Sequence, residues 1–268
     1  MAEIILSEIN VYPIKSASGI SLKNAKVGEK GLESDRRWML VDAKGKFISQ
    51  RSNPELSLVA VSIEKDGLTV KHKVKNYGNL FIPFEVDEEY QKEVEVWDEK
   101  CFAVPVSNAA DCWFGKVLGM PCQLVYMPDN SKRIVDPKYS SGKETVGFAD
   151  GFPFLLIGQS SLDNLNSKLE KPVEMNRFRP NLVFTGGEPF IEDTWKEFKI
   201  GTITFYPVKP CARCVITTVD QETAESGSEP LATLSTFRKK NNKVLFGQNL
   251  IHEGIGIINV GNPLFLVK

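Results

Sequence analysis

The sequence predicts a mainly β fold (α+β), and three observations lead to this prediction. Short runs rich in β-branched and aromatic residues recur along the 268 residues, and turn dipeptides such as Asp66-Gly67 and Gly186-Gly187 separate them. Helical periodicity is rare, and it does not alternate regularly with the strand-like runs. Barrel or sandwich modules with a few helices are therefore expected, rather than a doubly wound sheet.

The predicted elements follow from the apolar periodicity along the chain. Strands are expected over residues 4–14, 37–42, 56–63, 93–97, 101–106, 122–126, 154–157, 181–185, 202–208, 214–219, 245–252 and 255–260. Helices are expected over residues 108–118, 160–169 and 230–238, where apolar side chains recur at helical spacing. The polar segment 128–151 resembles a linker or a lid, and it suggests a domain boundary near residues 120–130.

Composition excludes several functional classes. The chain is 42% apolar and 25% charged with a net charge of −1, as in ordinary globular proteins, so no basic field favours nucleic acid. No run reaches the roughly 18 apolar residues of a membrane span, and the N-terminus lacks the pattern of a signal peptide. Five cysteines, an odd number, favour a reducing cytoplasm over a disulfide framework.

Cys211 and Cys214 form the most informative motif, in the segment Lys-Pro-Cys-Ala-Arg-Cys. Nearby cations favour the thiolate, which is a soft metal ligand and a nucleophile. Four interpretations compete: a structural zinc site, a thioredoxin-like dithiol, two inert buried residues, and one cysteine that binds a cofactor metal. Zinc lacks further ligands, and the pair precedes a predicted strand rather than a helix, so the cofactor interpretation is favoured.

Cations near the N-terminus suggest an anion site. Lys15-Ser16 follows a predicted strand and opens a turn of small residues, where backbone N–H groups can bind an anion. Arg36 and Arg37 are adjacent, so in a strand one of them faces inward and needs an anionic partner. The alternatives are a solvated turn lysine and a simple ion pair with Asp35.

Two further segments add polar groups in the second half. Arg177 and Arg179 would share one face of an extended segment, because Pro180 favours extended backbone at the residue before it. Together they would form a guanidinium fork for phosphate or carboxylate, or else a charged edge strand. Asp150-Gly151 precedes a strand, where glycine permits close approach of a ligand and the carboxyl could serve as an acid.

Neither histidine is predicted to act as a base. His72 is expected in an exposed strand rich in Lys and His, and His252 in the apolar core.

These motifs, in this order, resemble the MOSC-domain proteins, and most closely the mitochondrial amidoxime-reducing components and their bacterial relatives. The resemblance extends over essentially the whole chain and implies an N-terminal β-barrel-like module over residues 1–120, packed on a MOSC β-barrel over residues 121–268. The segments that carry it are Lys15-Ser16, Asp35-Arg36-Arg37-Trp38, Arg177-Phe178-Arg179-Pro180-Asn181, Cys211-Ala212-Arg213-Cys214, Phe246-Gly247-Gln248-Asn249 and Val260-Gly261-Asn262-Pro263.

The resemblance also implies a molybdenum cofactor (Mo-molybdopterin) between the two modules. Cys214 would ligate molybdenum and be the catalytic residue. The residues implied to contact or line the cofactor are Lys15, Ser16, Arg36, Asp150, Gly151, Arg179 and Arg213.

The implied activity is reduction of N-hydroxylated small molecules. The four-cysteine pattern of a fused 2Fe–2S module is not found, so a separate electron donor of the ferredoxin or flavoprotein type is expected. The alternative is a non-catalytic carrier of molybdenum cofactor or sulfur. No nucleic-acid or membrane partner is expected.

Overall fold

The computed structural model describes residues 3–267. This part of the chain contains nineteen strands, three α-helices and four short 3-10 helices, joined by loops and turns. The strands are β1 Ile5–Val11, β2 Ile20–Leu22, β3 Asn24–Gly28, β4 Gly31–Leu32, β5 Trp38–Val41, β6 Val59–Ile63, β7 Gly67–His72, β8 Leu80–Pro83, β9 Lys92–Val96, β10 Glu99–Pro105, β11 Gln123–Tyr126, β12 Phe154–Gly158, β13 Leu182–Thr185, β14 Phe198–Ile200, β15 Ile203–Ala212, β16 Lys239–Lys240, β17 Lys243–Glu253, β18 Gly256–Asn259 and β19 Leu264–Leu266. The helices are α1 Asn108–Leu118, α2 Gln159–Asn166 and α3 Leu231–Phe237, and the 3-10 segments are Pro54–Leu58, Met175–Arg177, Ile191–Thr194 and Val215–Thr218. The predicted mainly β class is confirmed.

A nine-stranded sheet dominates the molecule. Its order is β19-β14-β15-β17-β12-β13-β1-β2, with β16 attached to β17. All neighbours are antiparallel except β12 and β13. One face packs on a core of aromatic and aliphatic side chains that includes Phe154, Phe184, Phe198 and Phe205. Burying several aromatic rings in one layer supplies much of the hydrophobic stabilisation of this half.

Smaller sheets form the remaining β structure of the N-terminal half. One has the order β5-β11-β10-β9 and the other β6-β7-β8. Helix α1 packs on them through Trp113, Phe114 and Val117. The helix begins where the Ser107 hydroxyl accepts a hydrogen bond from the Ala110 N–H, and it ends at Gly119 with φ +66°.

The first strands of the chain belong to the sheets of the second half. Strand β1 pairs with β13, and β3 pairs with β18 in a three-stranded sheet with β4. Strand β11, beyond residue 120, pairs with β5 and β10. The division at residues 120/121 stays a prediction, and strand pairing crosses it in both directions.

One predicted strand is a 3-10 helix. Residues 214–219 were expected to be extended, but the structure has a 3-10 turn over Val215–Thr218. The hydroxyls of Thr217 and Thr218 donate to the carbonyls of Cys214 and Val215 at 3.0 and 2.8 Å. These local bonds offer the backbone an alternative to a strand ladder.

The prediction of an exposed His72 is wrong. Its side chain is fully buried at the end of β7, and its Nδ1 accepts hydrogen bonds from the N–H groups of Val74 and Lys75. His252 lies against Phe154, and its Nε2 is 2.9 Å from the carbonyl of Gly28. Across residues 3–267, no helix combines the length and apolar character needed to cross a bilayer.

Candidate functional site

A cleft with a cavity volume of about 160 Å³ lies where the N-terminal half meets the nine-stranded sheet. All eight residues that the sequence analysis singled out for cofactor or metal binding line it: Lys15, Ser16, Arg36, Asp150, Gly151, Arg179, Arg213 and Cys214. Their role toward a cofactor stays a prediction.

Lys15 enters the cleft from the loop after β1 and is buried. Its Nζ donates to the carbonyl of Phe148 and to Oδ1 of Asp150, both at 2.7 Å. Burial lowers the pKa of Lys15 below its ordinary value, against the opposing effect of Asp150. The ammonium is thus held in place by partners from the segment that connects the two halves.

Arg36 lies just before β5 and belongs to a buried ion pair. Its Nη1 donates to Oδ2 of Asp35 at 2.6 Å, and its Nη2 donates to the carbonyl of Arg179 at 3.2 Å. The guanidinium also lies 4.1 Å from the centroid of the Tyr12 ring. Arg37 points elsewhere and contacts Asp129 at 2.8 Å. The two adjacent arginines do diverge, but they precede the strand instead of lying in it.

Arg179 and Arg213 come from the second half of the chain and lack carboxylate partners within 4.0 Å among residues 3–267. Arg179 donates to the carbonyl of Ala17 at 2.7 Å, and Arg213 to that of Phe178 at 2.6 Å. Burial lowers the pKa of Arg179 to about 10. Arg179 Nη2 and Arg213 Nε are buried without a hydrogen-bond acceptor in this part of the chain. Buried unpaired N–H donors are rare and call for an explanation, such as a ligand.

The two thiols of the Cys-x-x-Cys motif are both half-buried and both line the cleft. Cys211 is the second-last residue of strand β15. Cys214 lies at the N-cap position, directly before the 3-10 helix that follows. Arg213 Nη1 is 3.0 Å from the sulfur of Cys211, and Arg51 Nη2 is 3.3 Å from the sulfur of Cys214. Each sulfur therefore accepts a hydrogen bond from a different guanidinium.

Asp150 and Gly151 form the floor on the side of the connecting segment. Partial desolvation raises the pKa of Asp150, but the charge and hydrogen bond of Lys15, with the charge of Arg51, hold it well below its ordinary value. A Cβ at Gly151 would meet no protein atom within 4 Å, so the space beside it is open.

Arg133 holds the backbone of the segment that contains Asp150 in place. Its side chain is 2% exposed, and it donates to the carbonyls of Gly147, Ala149 and Asp150 and to the carboxylate of Glu99. No sequence motif pointed to Arg133, because its partners are mostly backbone carbonyls that any sequence provides.

Four residues in or beside the cleft have left-handed backbone. Ser16, Arg36, Trp97 and Arg179 have φ values of 70°, 47°, 60° and 56°. Each such residue costs on the order of 1 kcal/mol or more, and such residues cluster at ligand sites. The extended conformation predicted for Arg179 is therefore wrong: the Met175–Arg177 3-10 turn precedes it, and local turn bonds outweigh the preference imposed by Pro180.

The predicted fork of Arg177 with Arg179 is also wrong. Arg177 turns away from the cleft and donates to the carbonyls of Thr217 and Thr218 and to Asp220. It stabilises the 3-10 turn that follows Cys214.

Sequence reasoning missed Arg51 and Trp97. Both come from the N-terminal half, and the Arg51 guanidinium lies 4.1 Å from the centroid of the Trp97 ring. Trp97 is also 40% exposed, which is unusual for so large an aromatic side chain. The Trp-Asp dipeptide between two strands predicts a turn but not the contact of Trp97 with Arg51.

The comparisons with known proteins agree with this architecture. Residues 3–121 match the MOSC N-terminal beta barrel domain, and residues 143–265 match the MOSC domain. The chain belongs to the MOSC-domain family. This finding confirms the family predicted from the motifs.

Individual relatives carry two kinds of name. Mitochondrial amidoxime-reducing component 1 from Homo sapiens is 30% identical over 98% of this chain and 82% of its own length, and the Mus musculus protein is 32% identical over the same shares. Molybdenum cofactor sulfurase from Oryza sativa subsp. japonica is 30% identical over 95% of this chain. The chain spans only 33% of the length of that sulfurase.

Proposed function

We propose that this MOSC protein is a molybdenum-cofactor-dependent oxidoreductase that reduces N-hydroxylated compounds. The observation that carries the proposal is a half-buried thiol, Cys214, in a cleft that also contains the half-buried cations Arg179 and Arg213, each with one buried N–H that lacks an acceptor among residues 3–267. A soft sulfur suits a metal, and unpaired guanidinium groups suit a phosphate. Relatives named amidoxime-reducing components support the reaction class.

The residues of the cleft fit a phosphorylated pterin that carries molybdenum. Arg179 Nη2 and Arg213 Nε are donors without acceptors, as expected if a ligand oxygen completes them. Lys15, Ser16 and Arg36 lie across the same space. We assign the phosphate and pterin to these side chains and the metal to the sulfur of Cys214.

When bound, the molybdenum centre supplies a two-electron reduction, by which an N–OH group, two electrons and two protons become N–H and water. Cys214 would hold the metal through its sulfur. The cations Arg179 and Arg213 would balance the negative charge of the cofactor, and Phe152 and Phe178, which also line the cleft, would limit the water around it.

Asp150 is not suited to donate the proton in this reaction. Its pKa lies well below the ordinary value, so the carboxylate is ionised at neutral pH. Its role is to pair with Lys15 at 2.7 Å and with Arg51 at 3.8 Å. We infer that protons reach the substrate from solvent through the open mouth of the cleft.

The electrons would come from a separate protein of the ferredoxin or flavoprotein type. The cysteines at positions 101, 112, 122, 211 and 214 are all free thiols, which suits the proposed cytoplasmic location.

A cofactor or sulfur carrier is the second candidate. The similarity to a molybdenum cofactor sulfurase favours it, because that match covers almost all of this chain. A carrier would use the same sulfur, held at 3.3 Å from Arg51, without turnover.

The test is to express the chain in a host that makes the cofactor and to measure molybdenum and pterin per chain. Reduction of benzamidoxime by dithionite-reduced methyl viologen then separates enzyme from carrier. We expect about one molybdenum per chain and turnover. Molybdenum without turnover would favour the carrier, and a protein without molybdenum would refute both the enzyme and the cofactor carrier.

The matched variants are Cys214→Ser and Cys211→Ser. The first should lose molybdenum and activity because it removes the soft ligand, whereas the second should keep the metal. Equal metal loss in both variants, or full activity of Cys214→Ser, would contradict the assignment of the ligand.

A further inference from the structure

Arg51 connects the two halves of the molecule at the sulfur of Cys214. It lies beyond β5 in the N-terminal half, 163 positions from Cys214 along the chain, yet its Nη2 is 3.3 Å from that sulfur. The distance is that of an N–H···S hydrogen bond from a charged donor.

Two contacts besides the sulfur hold the Arg51 guanidinium in this position. Its Cζ lies over the ring of Trp97, 4.1 Å from the centroid, and its Nη2 is 3.8 Å from Oδ2 of Asp150. The Trp97 Nε1–H donates to Oδ1 of the same Asp150 at 3.2 Å. Aromatic ring and carboxylate therefore hold one cation from two directions.

Trp97 has an unfavourable backbone conformation and an exposed ring, and its contact with Arg51 explains both. It has φ +60° in the tight turn between β9 and β10, and 40% of its surface is exposed. Its ring also contacts Phe47, at 5.0 Å between centroids. A β-turn does not need tryptophan in a left-handed conformation, but a platform beneath Arg51 does need a large ring at this place.

We propose that Arg51 is a positioning residue whose hydrogen bond to the Cys214 sulfur raises the reduction potential of the metal bound there. This inference rests on the proposed function. A donor and a positive charge beside a ligand sulfur withdraw electron density and favour the more negative, reduced state of the metal. Trp97 acts through Arg51 by keeping its guanidinium in place.

The experiment compares the holoprotein with Arg51→Gln, Arg51→Lys and Trp97→Leu. The midpoint potential of the Mo(VI)/Mo(V) couple is measured by a redox titration followed by electron paramagnetic resonance, with molybdenum and pterin counted per chain. Arg37→Gln is the matched control, because Arg37 is an arginine of the same half that pairs with Asp129 away from the cleft.

Arg51→Gln should lower the potential by about 59 mV, which is a tenfold change in a one-electron equilibrium. Arg51→Lys should lower it less, because lysine keeps the charge but not the planar, stacked donor. Trp97→Leu should give a shift in the same direction, and the control should give none.

The outcomes separate this inference from the proposed function. Unchanged potentials at wild-type metal content would overturn the role of Arg51 alone. Loss of molybdenum in all three variants, with unchanged thermal unfolding, would also overturn it and make Arg51 a determinant of cofactor retention. A wild-type protein without molybdenum would refute the proposed function, and this inference with it.

Discussion

The two walls of the cleft carry similar cations in different electrostatic settings. On the N-terminal wall, Arg36 and Lys15 each have a carboxylate at 2.6–2.7 Å, from Asp35 and Asp150. On the C-terminal wall, Arg179 and Arg213 bond only to carbonyls and a sulfur, and each keeps a buried N–H without an acceptor among residues 3–267.

This difference separates cations that already pair with a protein carboxylate from cations that keep a free donor for a ligand. A buried ion pair needs no ligand to balance its charges, and removal of one partner leaves the other charge unpaired. An arginine with a lowered pKa and a free donor gains from an incoming anion. We therefore expect the anionic groups of a ligand to bind at the C-terminal wall.

Arg36→Ala should give the largest effect, and on stability. It would leave the Asp35 carboxylate, 3% exposed, with only the Tyr12 N–H as partner, so the free energy of unfolding should fall by about 3–5 kcal/mol. Urea denaturation measures it. Lys26→Ala, which breaks an exposed ion pair with Glu33, should cost less than about 1 kcal/mol. Equal losses would remove the distinction between the walls.

Arg179→Ala should show the opposite pattern. Loss of a charged donor to the ligand should weaken cofactor binding by about 2 kcal/mol, roughly 30-fold in affinity, with little change in unfolding free energy. Pterin content per chain, measured on purified protein, checks the first part, and urea denaturation the second. An unchanged pterin content with a large loss of stability would place Arg179 among the structural cations.

Asp150→Asn should give the smallest effect, and it depends on pH. The pKa of Asp150 in the folded protein lies below its ordinary value of 3.8, so its contribution to stability is present above that pH and is lost as the pH falls further. The stability difference between wild type and variant should thus be constant from pH 5 to 8 and shrink below pH 4. Unfolding curves at several pH values measure it, and a difference that grows on acidification would reverse the assigned sign.

Much of the site could be predicted, because several of its residues lie in short local motifs. Lys15-Ser16, Arg36 and Cys214 are recognisable from the residues beside them in the sequence. The family resemblance then predicted that they contribute to one site. Arg51 and Arg133 could not be found, since their partners are distant in sequence or are backbone carbonyls.

Backbone conformation was the second feature of the site that the sequence did not predict correctly. The rule for residues before proline misplaced Arg179, and β-branched residues at 215–219 suggested a strand where threonine hydroxyls stabilise a 3-10 turn. Strands β2, β4, β8, β14, β16 and β19 escaped prediction because they have only two to four residues, too few to show a period. Strand β3 was also missed, although its five residues alternate between exposed and buried. In the larger elements, such as α1 and β17, hydrophobic periodicity and structure agree.

The pairing of β3 with β18 has a consequence for how the protein is made. Lys26 lies opposite Ile257, so β3 cannot pair with β18 until a segment 231 positions later along the chain (257 − 26) has been synthesised. Cofactor loading during synthesis would meet an unfinished cleft. The interleaved halves therefore predict that the proposed cofactor would be inserted only after both halves have been synthesised.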